Sequence, residues 1–249
     1  MILRRVIAHF RKQEWTAIFL DFVIVVVGVF VGLQVSNWNA ARGERTREAV
    51  YLAGVAADIR SDIAEIEEII RVSAHRMSAM SFLLREAGGA PLPDGFNSAR
   101  GRIEIEQAPP YDAQSPETIG VAMFILTTFD GNRLSYDTMV NTGGIGVIRD
   151  AALLRAIQSY YADVDKALTF ETSLEVNRVK LVDAQQQAGL SPVDAMPAGE
   201  IVNAFAGDAV LLAAARNYWL YTNRHLKIMK ELRAEADRVA AAIDKGNGR

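Results

Sequence analysis

The stretch Trp15-Thr-Ala-Ile-Phe-Leu-Asp-Phe-Val-Ile-Val-Val-Val-Gly-Val-Phe-Val-Gly-Leu-Gln-Val-Ser-Asn-Trp38 decides the architecture. Its inner part, Ala17 to Val35, holds only two strongly polar residues, Asp21 and Gln34. At about 1.5 Å per residue those positions cover roughly 28 Å, close to the ~30 Å hydrocarbon thickness of a bilayer. Trp15 and Trp38 fall where amphipathic rings favour the headgroup region. The Leu, Ile, Phe and Val residues favour insertion by about 6 kcal/mol, against a cost of about 2.5 to 3.5 for one central acid. The apolar run is longer than the core of a cleavable signal peptide, which predicts an uncleaved membrane anchor.

Ahead of the span, Ile2, Leu3, Val6, Ile7 and Phe10 share one helical face while Arg4, Arg5, Arg11 and Lys12 lie elsewhere. This is the pattern of a short basic helix on an anionic leaflet, so residues 1–14 read as a cytoplasmic amphipathic segment with Arg4 and Arg5 at the interface. Residues 15–38 are the transmembrane helix, and 39–249 lie on the far side. The expected location is a bacterial inner membrane, single-pass, with the N-terminus inside and most of the chain periplasmic.

Within the span, Asp21, Val25, Gly28 and Gly32 are spaced by four, three and four, so they share one face. Gly28-Val-Phe-Val-Gly32 removes side chains where a second helix could approach, and an intramembrane carboxyl seeks protein or water rather than lipid. That face is the expected helix-helix contact.

The remaining composition narrows the alternatives. The 249 residues are 50% hydrophobic and 23% charged, with a net charge of −3 and no cysteine. This excludes disulfides, thiolate metal sites and a Cys nucleophile, and argues against nucleic acid as a partner. From Asn39 to Ala87 apolar residues recur by threes and fours (Leu52, Val55, Ile59, Ile63, Ile66, Ile70, Met77, Met80, Leu84), predicting a long amphipathic helix continuous with the span. Its acidic series Asp58, Asp62, Glu65, Glu67 and Glu68 reads as a solvated face.

Gly88-Gly89 and five of the seven prolines, up to Pro116, predict a loop with one or two short strands around Arg102–Glu106. Ser115-Pro116 starts a buried helix expected over Glu117 to Phe129, too short to cross a bilayer. A short helix from Ser135 then ends at Gly143, Gly144 and Gly146. No Walker lysine follows those glycines, so they read as a corner between helices, with Asp150 capping the next helix to about Ala188. After a short helix Ala198 to Phe205, Gly207-Asp208 opens the last one, which runs to about Lys245. Its expected inner residues include Tyr218, Leu220 and Tyr221. The predicted fold is all-α: a transmembrane helix continuing into an elongated antiparallel bundle with a short irregular or β insertion.

Three histidines, His9, His75 and His225, form no H-x-x-x-H or H-E-x-x-H pair, and there is no G-x-S-x-G or strand-borne G-x-G-x-x-G. No enzyme activity, cofactor or metal is expected, although distant Ser, Asp and His residues could still converge in the fold.

Asp21, Gly28, Leu33-Gln34-Val35, Asn37-Trp38-Asn39, Arg42 and Tyr51-Leu52 together resemble a bacterial family of uncharacterised single-span proteins, which has Glu at the position of Asp21. The resemblance returns at Tyr136, Gly144, Ile148, Asp150, Leu154 and Tyr160-Tyr161. It implies an anchored helical protein and carries over no catalytic residue. The expected function is a membrane-anchored interaction or scaffold protein that self-associates or serves as an accessory subunit of a membrane complex. The alternative is an extracytoplasmic sensor whose helical bundle binds a small ligand.

Overall fold

A computed structural model describes residues 15–88, 90–99, 101–112, 118–191, 193 and 196–247, without the side chains of 15–18 and 247. The chain divides into two compact units at Val50 and Tyr51. One unbroken helix, α1 (Trp15–Glu86, 72 residues), supplies the described part of the first unit and enters the second. Its continuity follows from the sequence, which has no proline and no paired glycines between Trp15 and Glu86.

In the second unit α1 runs to Glu86 and ends at Gly88, whose φ of 72° requires glycine. A two-stranded antiparallel hairpin follows, β1 (Gly95–Ser98) with β2 (Gly101–Glu104), pairing Phe96 with Ile103. Next come α2 (Ile119–Phe124), α3 (Leu134–Asn141) and a 3₁₀ turn (Gly144–Val147). Two long helices, α4 (Ala151–Gln187) and α6 (Ala209–Asn247), flank the short α5 (Ala198–Ala206). The all-α class with a small strand insertion is as expected from the sequence.

Side-chain contacts fix the directions. Along α1 and α6, Arg60 meets Asp244, Glu67 meets Arg233, Ser73 meets His225 and Ser81 meets Trp219, so these helices are antiparallel. Between α4 and α6, Leu153 lies near Gly246 and Glu171 bonds His225, again antiparallel. Asp62 meets Tyr160, so α4 runs alongside α1 in the same direction. That is possible because residues 118–150 form a crossover back down the bundle. It passes Arg76 at Ile125, Glu65 at Asp130, Asp58 at Ser135 and Tyr51 at Thr142.

The crossover explains why α2 is shorter than the expected Glu117–Phe129. Thr118 caps it, accepting from the Val121 amide, while Ser115 to Glu117 lie outside the described residues. It stops at Phe124 because the next backbone groups are claimed by side chains of the long helices. Arg76 donates to the Ile125 carbonyl (2.8 Å), and Glu171 accepts from the Phe129 amide (2.8 Å). The three-glycine corner forms as expected, with Gly143 left-handed at φ 71°. A Cβ on Gly144 would stand 2.5 Å from Tyr51 Cε2.

Two apolar cores result. The first gathers Leu52, Val55, Ile59, Ile66 and Ile69 of α1 with Ile157 to Ala167 of α4 and Met229 to Ile243 of α6. The second gathers Met77 to Leu84 of α1 with Leu174, Leu181, Ile201, Phe205, Leu211, Tyr218 and Leu226. Each such side chain contributes about 1.5–3 kcal/mol on burial. Leu220, expected on the inner face of the last helix, is instead 36% exposed, because it lies two positions from Tyr218 and so on the flank of α6.

Candidate functional site

The face read from the span lies open within the chain. Val25 is 64% exposed, Asp21, Gly28 and Gly32 are exposed, and a Cβ added at either glycine would meet nothing within 4 Å. The most apolar 18-residue window of this helix has a mean hydropathy of 2.3 and none of it is buried, so the helix is long and apolar enough to cross a membrane. Trp38 is exposed and carries the Arg42 guanidinium 5.9 Å from its ring centroid. Arg4 and Arg5 lie outside the described residues, as does the side chain of Trp15.

Further along α1 the structure corrects the reading of the acidic series. Asp58 and Asp62 are not a solvated face: they are 6% and 1% exposed, and with Glu65 they hold the crossover by its backbone. Asp58 accepts from the amide and hydroxyl of Ser135 (2.7 and 3.1 Å), Asp62 from the amide of Asn132 (2.7 Å), and Glu65 from the amide of Asp130 (2.8 Å). These carboxylates, spaced by four and three on one face of α1, meet the amides of Asp130 and Asn132 in the loop before α3 and of Ser135 in its first turn. Glu67 and Glu68 do face outward, paired with Arg233 and Arg71.

Asp62 also accepts from the Tyr160 hydroxyl at 2.6 Å. Burial pushes its carboxyl above the usual range. The bonds from Tyr160 and the Asn132 amide oppose that shift, and neighbouring Glu65 and Asp58 add to it. The tyrosine pair is core: Tyr160 and Tyr161 are buried, and both phenols are pushed upward, chiefly by burial. Tyr161 stacks on Tyr136 with centroids 4.1 Å apart, and Arg133 sits over both rings at 5.4 and 5.7 Å.

At the junction of the two cores lies a polar layer. Arg76 is fully buried; besides the Ile125 carbonyl it donates to Ser73 Oγ (3.2 Å), and its guanidinium lies 5.6 Å from the Tyr218 ring centroid. Burial lowers its pKa, with partial compensation from Tyr218 and Glu171. His225, also fully buried, pairs Nδ1 with Ser73 Oγ (3.3 Å) and Nε2 with Glu171 Oε1 (3.1 Å).

Ser73, His225 and Glu171 thus converge from three helices with the residue types of a hydrolytic triad. Their geometry is that of a brace. Ser73 is 1% exposed and already accepts from Arg76, while Glu171 also accepts from the Phe129 amide. Glu171 lines a surface cavity of about 420 Å³ with Leu126, Thr128 and Leu168, and Ser73 does not reach it. The layer fixes the register of the three helices, since sliding any one of them by a turn would set Arg76 or His225 against apolar neighbours.

Sequence reasoning missed Ser73, Arg76 and Glu171 and treated His225 as isolated. The available signal was the gap between Ile70 and Met77, where the apolar periodicity of α1 is broken by Ser73 and Arg76. Among the described residues no cluster of three or more His, Asp or Glu is arranged to hold a metal ion.

Comparison with known proteins returned no match among curated proteins and none among solved structures. Residues 21–87, from the acid in the span to the end of α1, match a family of unknown function, DUF6090, so this part of the chain is similar to an uncharacterised family.

Proposed function

We propose that the protein is a single-pass anchor of a bacterial inner membrane that works by assembly. Its N-terminus is cytoplasmic, its helical unit is periplasmic, and the face Asp21, Val25, Gly28 and Gly32 is its contact with a second transmembrane helix. The observation that supports the reading most is the open space over Gly28 and Gly32 on an exposed helix that also carries Asp21. In a bilayer, glycines spaced by four let two backbones approach closely, and the carboxyl gains a hydrogen-bonding partner it lacks in lipid. A second copy of the chain satisfies both, because the same face on each helix is self-complementary about a two-fold axis.

The test is a Gly28→Leu/Gly32→Leu variant compared with the native chain, with particle size measured in mild detergent and by cross-linking in native membranes. Loss of the oligomer supports self-association. An unchanged oligomer accompanied by loss of a co-purifying membrane protein assigns the face to a partner, making the chain an accessory subunit. If neither changes, the proposed contact is wrong.

A further inference from the structure

A second site lies in the unit beginning at Tyr51, and it does not depend on assembly in the membrane. Between the hairpin and the flanks of α4 and α6 is an open cavity of about 540 Å³. Phe96 and Ile103 form one wall; Phe170, Leu220 and Tyr221 form the other. Phe170 and Tyr221 stack with centroids 5.9 Å apart, which makes this wall aromatic. Phe96 is 40% exposed and Leu220 36%, so apolar surface of two separate elements is turned toward the same space and left uncovered.

One end of this groove is basic. Arg224 and Lys227, one helical turn apart on α6, line it with Ser98 and Asn223, and among the described residues neither cation has an ion-pair partner. The neighbouring Lys230, by contrast, is neutralised by Glu106 at 2.5 Å. Among the described residues no carboxylate lines the groove. The volume lies in the range that holds small ligands, and apolar walls with a few charges at one end are the usual construction of such a site.

We infer that this groove binds an anionic amphiphile of fatty-acid size. Its acyl chain or ring would lie on Phe170 and Tyr221 beneath the hairpin, and its carboxylate would be held by Arg224 and Lys227. The chemistry is that of charge-assisted hydrogen bonds at a mouth and dispersion contacts along a trough.

The test uses the full-length chain in native membranes and dodecanoate carrying a terminal diazirine. After irradiation and digestion, labelled peptides are mapped by mass spectrometry. Labelling of the span serves as the internal measure of probe dissolved in the bilayer. The expected result is labelling within residues 95–104, 166–178 or 217–227 that unlabelled dodecanoate displaces and dodecanol does not. Arg224→Ala and Lys227→Ala should each lower groove labelling roughly tenfold while span labelling holds. Both side chains are on the surface, and circular dichroism of each variant checks that the fold is kept.

Labelling confined to the span overturns the inference. So does groove labelling that survives both substitutions, or that dodecanol displaces equally well. Labelling seen only after purification would mean that a protein covers the groove in the membrane, which also overturns it.

Discussion

Removing one oxygen atom should report on the clasp between α1 and the rest of the bundle. In Tyr160→Phe the ring still fills its place in the first core, but Asp62, 1% exposed, loses the donor 2.6 Å from Oδ2. A hydrogen bond to a charged group contributes about 1.5–3 kcal/mol, and at neutral pH the variant should lose about 2 kcal/mol. The loss also depends on pH. The folded-state pKa of Asp62 is raised above its unfolded value of 3.8, so its protonation favours folding below that value and this advantage fades as pH rises through the raised pKa. The Tyr160 bond opposes the raising, so its removal costs most when Asp62 is ionised. Well below pH 3.8, where Asp62 is protonated, only a neutral bond is lost, and the deficit should shrink to about 1 kcal/mol.

Urea unfolding in detergent measures both values, with Trp219 as reporter in a Trp15→Phe/Trp38→Phe background. Trp219 is 5% exposed and donates Nε1–H to Ser81 Oγ at 2.9 Å, so its emission follows the second unit. A deficit under about 0.5 kcal/mol at neutral pH, or one equal at both pH values, would refute the role given to this bond.

Two further substitutions probe other levels of the fold. Gly144→Ala places a methyl group 2.5 Å from Tyr51 Cε2 and 3.1 Å from the Met139 carbonyl, so it should cost about 1–3 kcal/mol in the same assay, with Tyr51→Ala relieving part of the clash. Asp244→Asn breaks the Arg60 ion pair, whose partners are 53% and 58% exposed, and should change stability by under about 0.5 kcal/mol despite the 2.6 Å contact.

Periodicity carried most of the helical layout because burial on one stripe is a local property of sequence. Leu52, Val55, Ile59 and Ile66 are buried as their spacing requires, and Asp150 and Asp208 cap α4 and α6 through their side chains. The crossover was not legible, because what orders it lies far away in the chain: Asp62 is 70 residues from the Asn132 amide and Arg76 is 49 from the Ile125 carbonyl. An acid on a helix looks the same in sequence whether water or a distant amide solvates it. That is why Asp58 and Asp62 read as surface, and why Ser73, Glu171 and His225 were not connected. The groove was hidden for the opposite reason. Leu220 and Tyr221 match an inner-face pattern, and only the hairpin's position shows them lining an opening.

The carboxylates of α1 grip the crossover by amide protons, which every residue but proline offers. Drift in the side chains at 130, 132 and 135 therefore leaves these amide bonds intact, whereas proline at any of the three deletes one outright. Gly131, left-handed at φ 65° with the space for its Cβ closed by Val164, adds a second veto in the middle of the same run. Divergent versions of this strap should thus look unrelated letter by letter while sharing two prohibitions, no imino acid at the gripped positions and nothing larger than hydrogen at the bend.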